Sequence, residues 1–192
     1  MDVKAAQVGD AGELAELINL AGEGIPAYIW SQMAEPGQTP LEVGAQRAAR
    51  ETGGFSYRNA KVIRDQGRAV AMLIVYQLDD PYDTGDLAEL PPIVRPLIEL
   101  EALAPGSWYI NAIATDPAAR GRGLACRLMQ QAEQDAAAAG AQNLSLIVAS
   151  ENQPARALYA KLGYECKASR PVVDYPGALH GGEWQLLLKP LS

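Results

Sequence analysis

The chain has 192 residues, 48% of them hydrophobic and 20% charged, enough to bury the core of one domain. Sixteen Lys and Arg against 23 Asp and Glu leave a formal charge of -7. That is the wrong sign for a protein that coats a phosphate backbone, so no nucleic-acid partner is expected.

The first 20 residues carry Asp2, Asp10, Glu13 and Glu16 and lack a basic stretch followed by an apolar one, so no secretory signal is expected and the cytoplasm is the default address. A short strand is predicted at residues 2–8. Asp10 then precedes the periodic run Leu14, Leu17, Ile18, which marks a helix with an acidic first turn. Gly22, Gly24 and Pro26 interrupt it, and Tyr28, Ile29, Trp30 and Met33 predict a second helical piece before the breakers of residues 35–40. A third helix is predicted over about 41–51. Two β-rich runs, 56–64 and 69–78, flank Asp65-Gln66-Gly67 and predict a hairpin with Gly67 in a left-handed position. The apolar run from Ala69 to Tyr76 is the longest in the chain and falls far below the roughly 20 residues that span a bilayer, so no membrane partner is expected.

Residues 79–105 differ in kind. They hold five prolines and seven acids (Asp79, Asp80, Asp83, Asp86, Glu89, Glu99, Glu101) against one base, Arg95, and so account for most of the net charge. A strand (107–115), a turn (116–123) and a helix (124–139) stopped by Gly140 follow, then a strand (144–149) and a helix (about 153–162) stopped by Gly163. Two last strands are predicted near 164–173 and 183–189. An early hairpin followed by a β-α-β-α-β series gives a mixed α/β (α+β) class with a partly antiparallel sheet.

The turn Asp116-Pro117-Ala118-Ala119-Arg120-Gly121-Arg122-Gly123-Leu124-Ala125 lies between a strand and a helix and has the chemistry of an anion cradle. Its glycines present bare N–H groups, small Ala125 leaves room at the first helical turn, and the helix dipole favours phosphate there. Arg120, Arg122 and Arg127 add positive charge with no acid between them. The Walker loop is excluded because no Gly-Lys pair occurs, and the dinucleotide fingerprint fails where its third glycine would fall on Cys126. A plain connecting turn is the alternative.

Arg120, Gly123 and Ala125, in the pattern Arg-x-x-Gly-x-Ala after Ile113-Ala114-Thr115-Asp116-Pro117, resemble the acetyl-coenzyme A loop of the GNAT-type N-acetyltransferase superfamily. The run from Asn152 through Ala155, Leu158, Tyr159, Lys161 and Gly163 to Tyr164 resembles that family's N-x-x-A-x-x-L-Y-x-K-x-G-[FY] segment. Both matches stand in the family's order, within residues 107–166. The resemblance implies one N-acetyltransferase domain over 1–192, with a mostly antiparallel sheet flanked by helices and a bulged strand before a Gly-rich pyrophosphate loop. It implies acetyl-coenzyme A as acetyl donor and a small-molecule or peptide amine as acceptor, joined by direct attack in a ternary complex.

It also implies roles. Gly121, Arg122, Gly123, Leu124 and Ala125 would grip the pyrophosphate, with Arg120 part brace and part counter-charge. Ile113, Ala114 and Thr115 would pair with the pantetheine arm through their backbone. Asn152 reads both as the N-cap of its helix and as a pantetheine contact, and Arg156 lies one turn on in the same segment, on the cofactor side. Tyr159 reads either as a core aromatic or as the general acid that protonates the departing thiolate. The family often has Glu near position 109, where this chain has Tyr. Tyr109 and Asn111 share a strand face and can position the acceptor or a proton-carrying water. Glu99 and Glu101 are alternative bases, each read first as a solvated surface acid. His180 reads as a loop residue, Cys126 and Cys166 as inert thiols, and no metal site is expected because neither cysteine belongs to a C-x-x-C pair. Tyr28, Trp30, Tyr57 and Tyr82 can supply an aromatic wall, although Trp30 is spaced like a core residue. The acidic segment can steer a cationic amine or serve only solubility. An acyl-coenzyme A sensor without catalysis is the rival function, and the sheet edge leaves a homodimer open.

Overall fold

Local start and stop signals account for most of the element boundaries in the computed structural model, which describes residues 1–179 and 181–191; His180 and its expected loop lie outside the described residues. In chain order the elements are β1 (Val3–Ala5), α1 (Ala11–Ala21), α2 (Ile25–Met33), α3 (Pro40–Ala48), β2 (Ala60–Asp65), β3 (Arg68–Gln77), α4 (Arg95–Glu101), β4 (Trp108–Thr115), α5 (Leu124–Ala138), β5 (Asn143–Ala149), α6 (Gln153–Lys161), β6 (Glu165–Pro171) and β7 (Glu183–Pro190). The strands form a seven-stranded sheet in the order β1-β2-β3-β4-β5-β7-β6. The β1–β2, β2–β3, β5–β7 and β6–β7 pairs are antiparallel, and β4–β5 is parallel. The class is mixed α/β with a mostly antiparallel sheet, as expected. Among the described residues no helix is long and apolar enough to cross a membrane.

The chain divides into two compact units, Met1–Tyr76 with Asn111–Gln134, and Gln77–Ile110 with Asp135–Ser192. In the first, α1 buries Leu14, Ala15, Leu17 and Ile18, one face at helical spacing. Asp10 at its N-terminus does not cap it; the carboxylate accepts the Gln7 N–H at 2.6 Å and pairs with Arg64 of β2. Thr39 and Glu42 close a capping box on α3, with the Glu42 carboxylate accepting the Thr39 N–H at 2.7 Å. Trp30 of α2 is 1% exposed and joins Leu14, Ile18, Val62, Met72 and Ile74 in the core, so it belongs to packing and not to an aromatic wall.

Gly44 of α3 explains how Trp30 fits. A Cβ at Gly44 would fall 2.4 Å from the indole Cζ3. Gly44→Ala is therefore expected to lower stability by about 1–3 kcal/mol, because a buried ring has nowhere to move. Gly12→Ala on α1, where a Cβ meets nothing within 4 Å, is expected to cost no stability. Thermal denaturation of the two variants checks the contrast.

The hairpin turn is two residues, Gln66 and Gly67, both at positive φ (49° and 86°), between the paired Asp65 and Arg68. It is the tight hairpin type whose twist suits the flanking strands. Two of the expected strands are shorter than their sequence runs. Residues 56–59 are not strand: Ser56 caps a short 3-10 turn, its hydroxyl oxygen accepting the Arg58 N–H at 3.1 Å. The opening strand is confined to Val3–Ala5, and a 3-10 turn follows at Val8–Asp10.

In the second unit β4 and β5 pair from Trp108–Ile110 against Leu144–Leu146. The Ser107 and Ser145 hydroxyls, both buried, meet at 2.6 Å beside that ladder. Leu100, Leu144, Leu146 and Leu186 are fully buried. The segment 79–105 carries a helix that its prolines concealed, α4, which packs on β6 and β7; Arg170 of β6 donates to Glu99 at 2.6 Å. The register shifts fall at Ile63/Arg64 in β2 and Cys166/Ala168 in β6, while the β4–β5 ladder is regular over 108–110.

Candidate functional site

The first unit carries the end of β4, the Gly-rich turn and the start of α5. Thr115 ends the strand, and the Asp116 N–H donates to the Val70 carbonyl at 2.8 Å, fixing where the turn departs from the sheet. Asp116 caps a short 3-10 turn over Pro117–Ala119, its carboxylate accepting the Ala118 N–H at 2.9 Å. Gly121 and Gly123 follow at φ 74° and 73°. Two left-handed glycines flanking Arg122 turn successive N–H groups outward. Among the described residues the N–H groups of Gly121 through Cys126 have no protein acceptor, and the next, Arg127, returns to the Gly123 carbonyl at 3.2 Å. The last four of these, Gly123 to Cys126, are the orphan donors of a 15-residue helix, at the positive end of its dipole.

The three expected arginines separate. Arg122 donates to Asp65 of the hairpin turn at 2.8 Å, so it braces the loop against the hairpin turn that carries Asp65. Arg120 is exposed, and neither it nor Arg127 pairs with an acid among the described residues. The chemistry of the loop fits an anionic ligand. The buried Thr115 hydroxyl has no hydrogen-bond partner among the described residues, and a Cβ at Gly121 or Gly123 would meet nothing within 4 Å, which leaves the approach to the backbone open. Ile113 is half-buried and Ala114 buried, its methyl in the first unit's core. Asn111 lies near Gly54 and Tyr76: a Cβ at Gly54 would stand 3.1 Å from the Tyr76 hydroxyl and 3.5 Å from Asn111 Nδ2.

The second unit carries Asn152, Arg156, Tyr159 and Tyr109. Asn152 is the N-cap of α6, its side-chain oxygen accepting the Ala155 N–H at 3.3 Å. Arg156 donates to the Ser150 carbonyl at 3.1 Å, tying the helix to the turn before it. Tyr159 is 7% exposed, its ring 5.9 Å from that of Tyr164 at a tilt of 58°. The packing role of Tyr159 is thus present.

Tyr109 is buried on β4 opposite Ser145, and its hydroxyl is a hydrogen-bond donor to Glu101 at the end of α4. Tyr82 donates to the same carboxylate at 2.6 Å. Glu101 is therefore half-buried and not the solvated acid expected; desolvation pushes its carboxyl above the usual range, against the two tyrosyl hydrogen bonds, which favour its ionised form. Glu99 is committed to Arg170. Of the remaining aromatics, Tyr57 donates to Glu51 at 2.7 Å and Tyr28 is half-buried. Cys126 and Cys166 are exposed free thiols. Sequence reasoning missed the Arg122–Asp65 and Tyr82–Glu101–Tyr109 contacts, which join residues far apart in the chain and leave no local pattern.

The sheet order and the strand–glycine loop–helix with unpartnered N–H groups define a mixed α/β protein with an anion-binding turn. The family model described as the Acetyltransferase (GNAT) family matches residues 28–164, and the chain belongs to that family. The comparison with curated proteins returns no match. Among solved structures the chain is similar to an agmatine N-acetyltransferase mutant in its apo form, at 20% identity over 99% of each chain with a TM-score of 0.69. It is similar to a polyamine N-acetyltransferase of Drosophila melanogaster at 18% identity over 99% of each chain, TM-score 0.67. A ribosomal-protein-alanine N-acetyltransferase from Brucella melitensis gives 17% identity over 100% of each chain, TM-score 0.64. At these identities the likeness is one of fold.

Proposed function

We propose that this chain is an N-acetyltransferase, one catalytic domain over residues 1–192, that moves an acetyl group from acetyl-coenzyme A to a primary amine by direct attack in a ternary complex. The observation that carries the reading is the run of unpartnered N–H groups from Gly121 to Cys126 within the family's loop motif. When bound, the coenzyme supplies a thioester carbonyl as electrophile. Gly121 to Ala125 hold its pyrophosphate through the backbone, with Arg120 as counter-charge and Arg122 holding the loop in place. Ile113 to Thr115 offer backbone groups to the pantetheine arm, and the Asn152 amide orients it. The Tyr159 hydroxyl gives its proton to the departing thiolate. Tyr109 and Asn111 position the acceptor.

The acceptor in this reading is a small-molecule or peptide amine. Agmatine, a polyamine and ribosomal-protein alanine appear as substrates in the names of fold neighbours, which supports amines as a class. The net charge of -7 favours a cationic acceptor over a nucleic acid. The reading places the enzyme in the cytoplasm, without a metal or a membrane partner, and the mostly exposed edge strand β6 supports a homodimer. A non-catalytic acyl-coenzyme A sensor is favoured by one feature, tyrosine at 109 where the family often carries glutamate.

Thermal unfolding with acetyl-coenzyme A, ATP and NAD tests the proposal. Acetyl-coenzyme A at 100 times its dissociation constant is expected to raise Tm by about 5–10 °C, the equivalent of about 2.7 kcal/mol in a chain of this length. ATP and NAD at equal concentration are expected to do less. A shift followed by thiol release with agmatine, spermidine or an alanyl peptide supports the enzyme, and a shift without thiol release for any amine supports the sensor. No selective shift would sink both.

A further inference from the structure

Within the first unit, the two residues that close the β2–β3 turn carry opposite charges, and each holds a different part of the Gly-rich loop. Asp65 and Arg68 face each other in the register of the hairpin. The Asp65 carboxylate accepts from Arg122 Nη1 at 2.8 Å, in the middle of the loop. Arg68 lies 3.8 Å from the carboxylate of Asp116, the loop's first residue, and donates to Glu16 of α1 at 2.8 Å. The backbone adds a third tie. The register of β2 and β3 shifts between Ile63 and Arg64 so that Val70 has no β2 partner, and the Val70 carbonyl accepts the Asp116 N–H at 2.8 Å. An irregularity of this kind re-aims the end of a strand. The other terminal nitrogen of Arg122 lies 3.4 Å from Met1 Sδ, so both prongs of its fork have a protein partner.

These ion pairs are exposed, with 41% of the Arg122 side chain and 35% of that of Asp65 open to water. Pairs of this kind add little to folding. The loop is where they count. Gly121 and Gly123 stand at φ 74° and 73° on either side of Arg122, and glycine is the residue with the most backbone freedom to lose. Only the fraction of loop conformations with the N–H groups turned outward binds an anion, and the apparent dissociation constant rises as that fraction falls. A pair too weak to matter for folding is enough to change that fraction severalfold. By charge alone, however, the Asp65 carboxylate is misplaced: a negative group beside a site for an anion opposes binding. Its place there is accounted for by what it holds.

We propose that Asp65 is a positioning residue for the coenzyme. Through the Arg122 side chain it holds the loop to the hairpin, and the hairpin serves as the frame that keeps the loop's N–H groups in binding geometry. Arg122 then meets the pyrophosphate through its backbone N–H, and its guanidinium belongs to the frame. The inference rests on the acetyltransferase reading for the identity of the ligand.

The test is calorimetric titration of acetyl-coenzyme A into the full chain. Asp65→Asn is expected to weaken binding about 3- to 10-fold, the loss that follows from a smaller binding-competent fraction, with Tm within about 2 °C of the wild type. The direction is decisive, because removal of a negative charge acting through its field alone would tighten binding. Asp65→Glu keeps the carboxylate and is expected to keep most of the affinity. Arg122→Gln is expected to weaken binding as well, and the double variant to lose less than the two single losses together, as partners in one interaction do. In 1 M salt, where the screening length is about 3 Å, the ratio between wild type and Asp65→Asn is expected to narrow. Should Asp65→Asn fail to fold, Asp65→Ser carries the same comparison. Unchanged or tighter binding by the Asp65 variant, or losses that add in full, overturns this inference and leaves the acetyltransferase reading standing. A wild type that does not bind acetyl-coenzyme A overturns both.

Discussion

Tyr159→Phe is expected to lower turnover about 100-fold while leaving the acetyl-coenzyme A shift intact. The variant separates the two roles this side chain carries. The ring of Tyr159 is 7% exposed and stacks at a tilt against Tyr164, 5.9 Å away, and phenylalanine keeps all of that packing. Only the O–H is removed. Loss of one hydroxyl hydrogen bond costs about 1 kcal/mol of stability, a small drop in Tm. Loss of a general acid costs about 10²-fold in rate, or about 2.7 kcal/mol of barrier, because the departing thiolate must otherwise take its proton from water. A fall in kcat with KM for the coenzyme unchanged therefore assigns the proton to Tyr159. If turnover survives, the tyrosine is a core residue alone and the thiolate leaves unprotonated or is served by another group.

How much of this was legible beforehand depends on the range of the signals. Helix α6 begins at the Asn152 cap with Pro154 in its first turn, and the chain turns at Gly163; every one of those cues is local, and the helix lies where the spacing puts it. Helix α5 starts at Leu124, next to the glycine that frees its first N–H groups. Helix α4 was concealed because Pro91, Pro92 and Pro96 read as breakers. Pro96 in fact occupies the first turn, where a missing N–H costs nothing, and the short helix is held by burial of Leu100 and the Arg170–Glu99 pair. The site divides in the same way. Loop and cap were legible from consecutive residues. The Tyr82–Glu101–Tyr109 cluster was not, since its members are 19 and eight residues apart on a turn, a helix end and a strand, and only the packing of the second unit joins them. The Arg122–Asp65 pair was hidden for the same reason. The sequence neighbours of Arg122 mark it as a phosphate ligand, and its partner, Asp65, comes from a hairpin 57 residues earlier.

Gly123→Val is expected to abolish the acetyl-coenzyme A shift at a concentration that saturates the wild type. Two costs arise, and they can be told apart. The first is conformational. Gly123 sits at φ 73°, where a β-branched residue is an outlier, at about 1–2 kcal/mol or more whether or not a ligand is present. That cost lowers Tm by several degrees. The second cost exists only with ligand. A Cβ at Gly123 meets no protein atom within 4 Å, so nothing in the free protein objects to its volume. If the backbone N–H groups of this turn grip a pyrophosphate, the same volume lies in the path of the phosphate oxygens, and affinity falls by far more than stability. Gly123→Ala grades the effect: alanine carries the same left-handed strain of about 1 kcal/mol and loses a few degrees of Tm, less than valine, with coenzyme affinity down by tenfold or more. Were both variants to lose Tm and coenzyme affinity in equal measure, the glycine would be serving the turn alone. Loss of affinity in excess of loss of stability is what a phosphate-binding backbone requires.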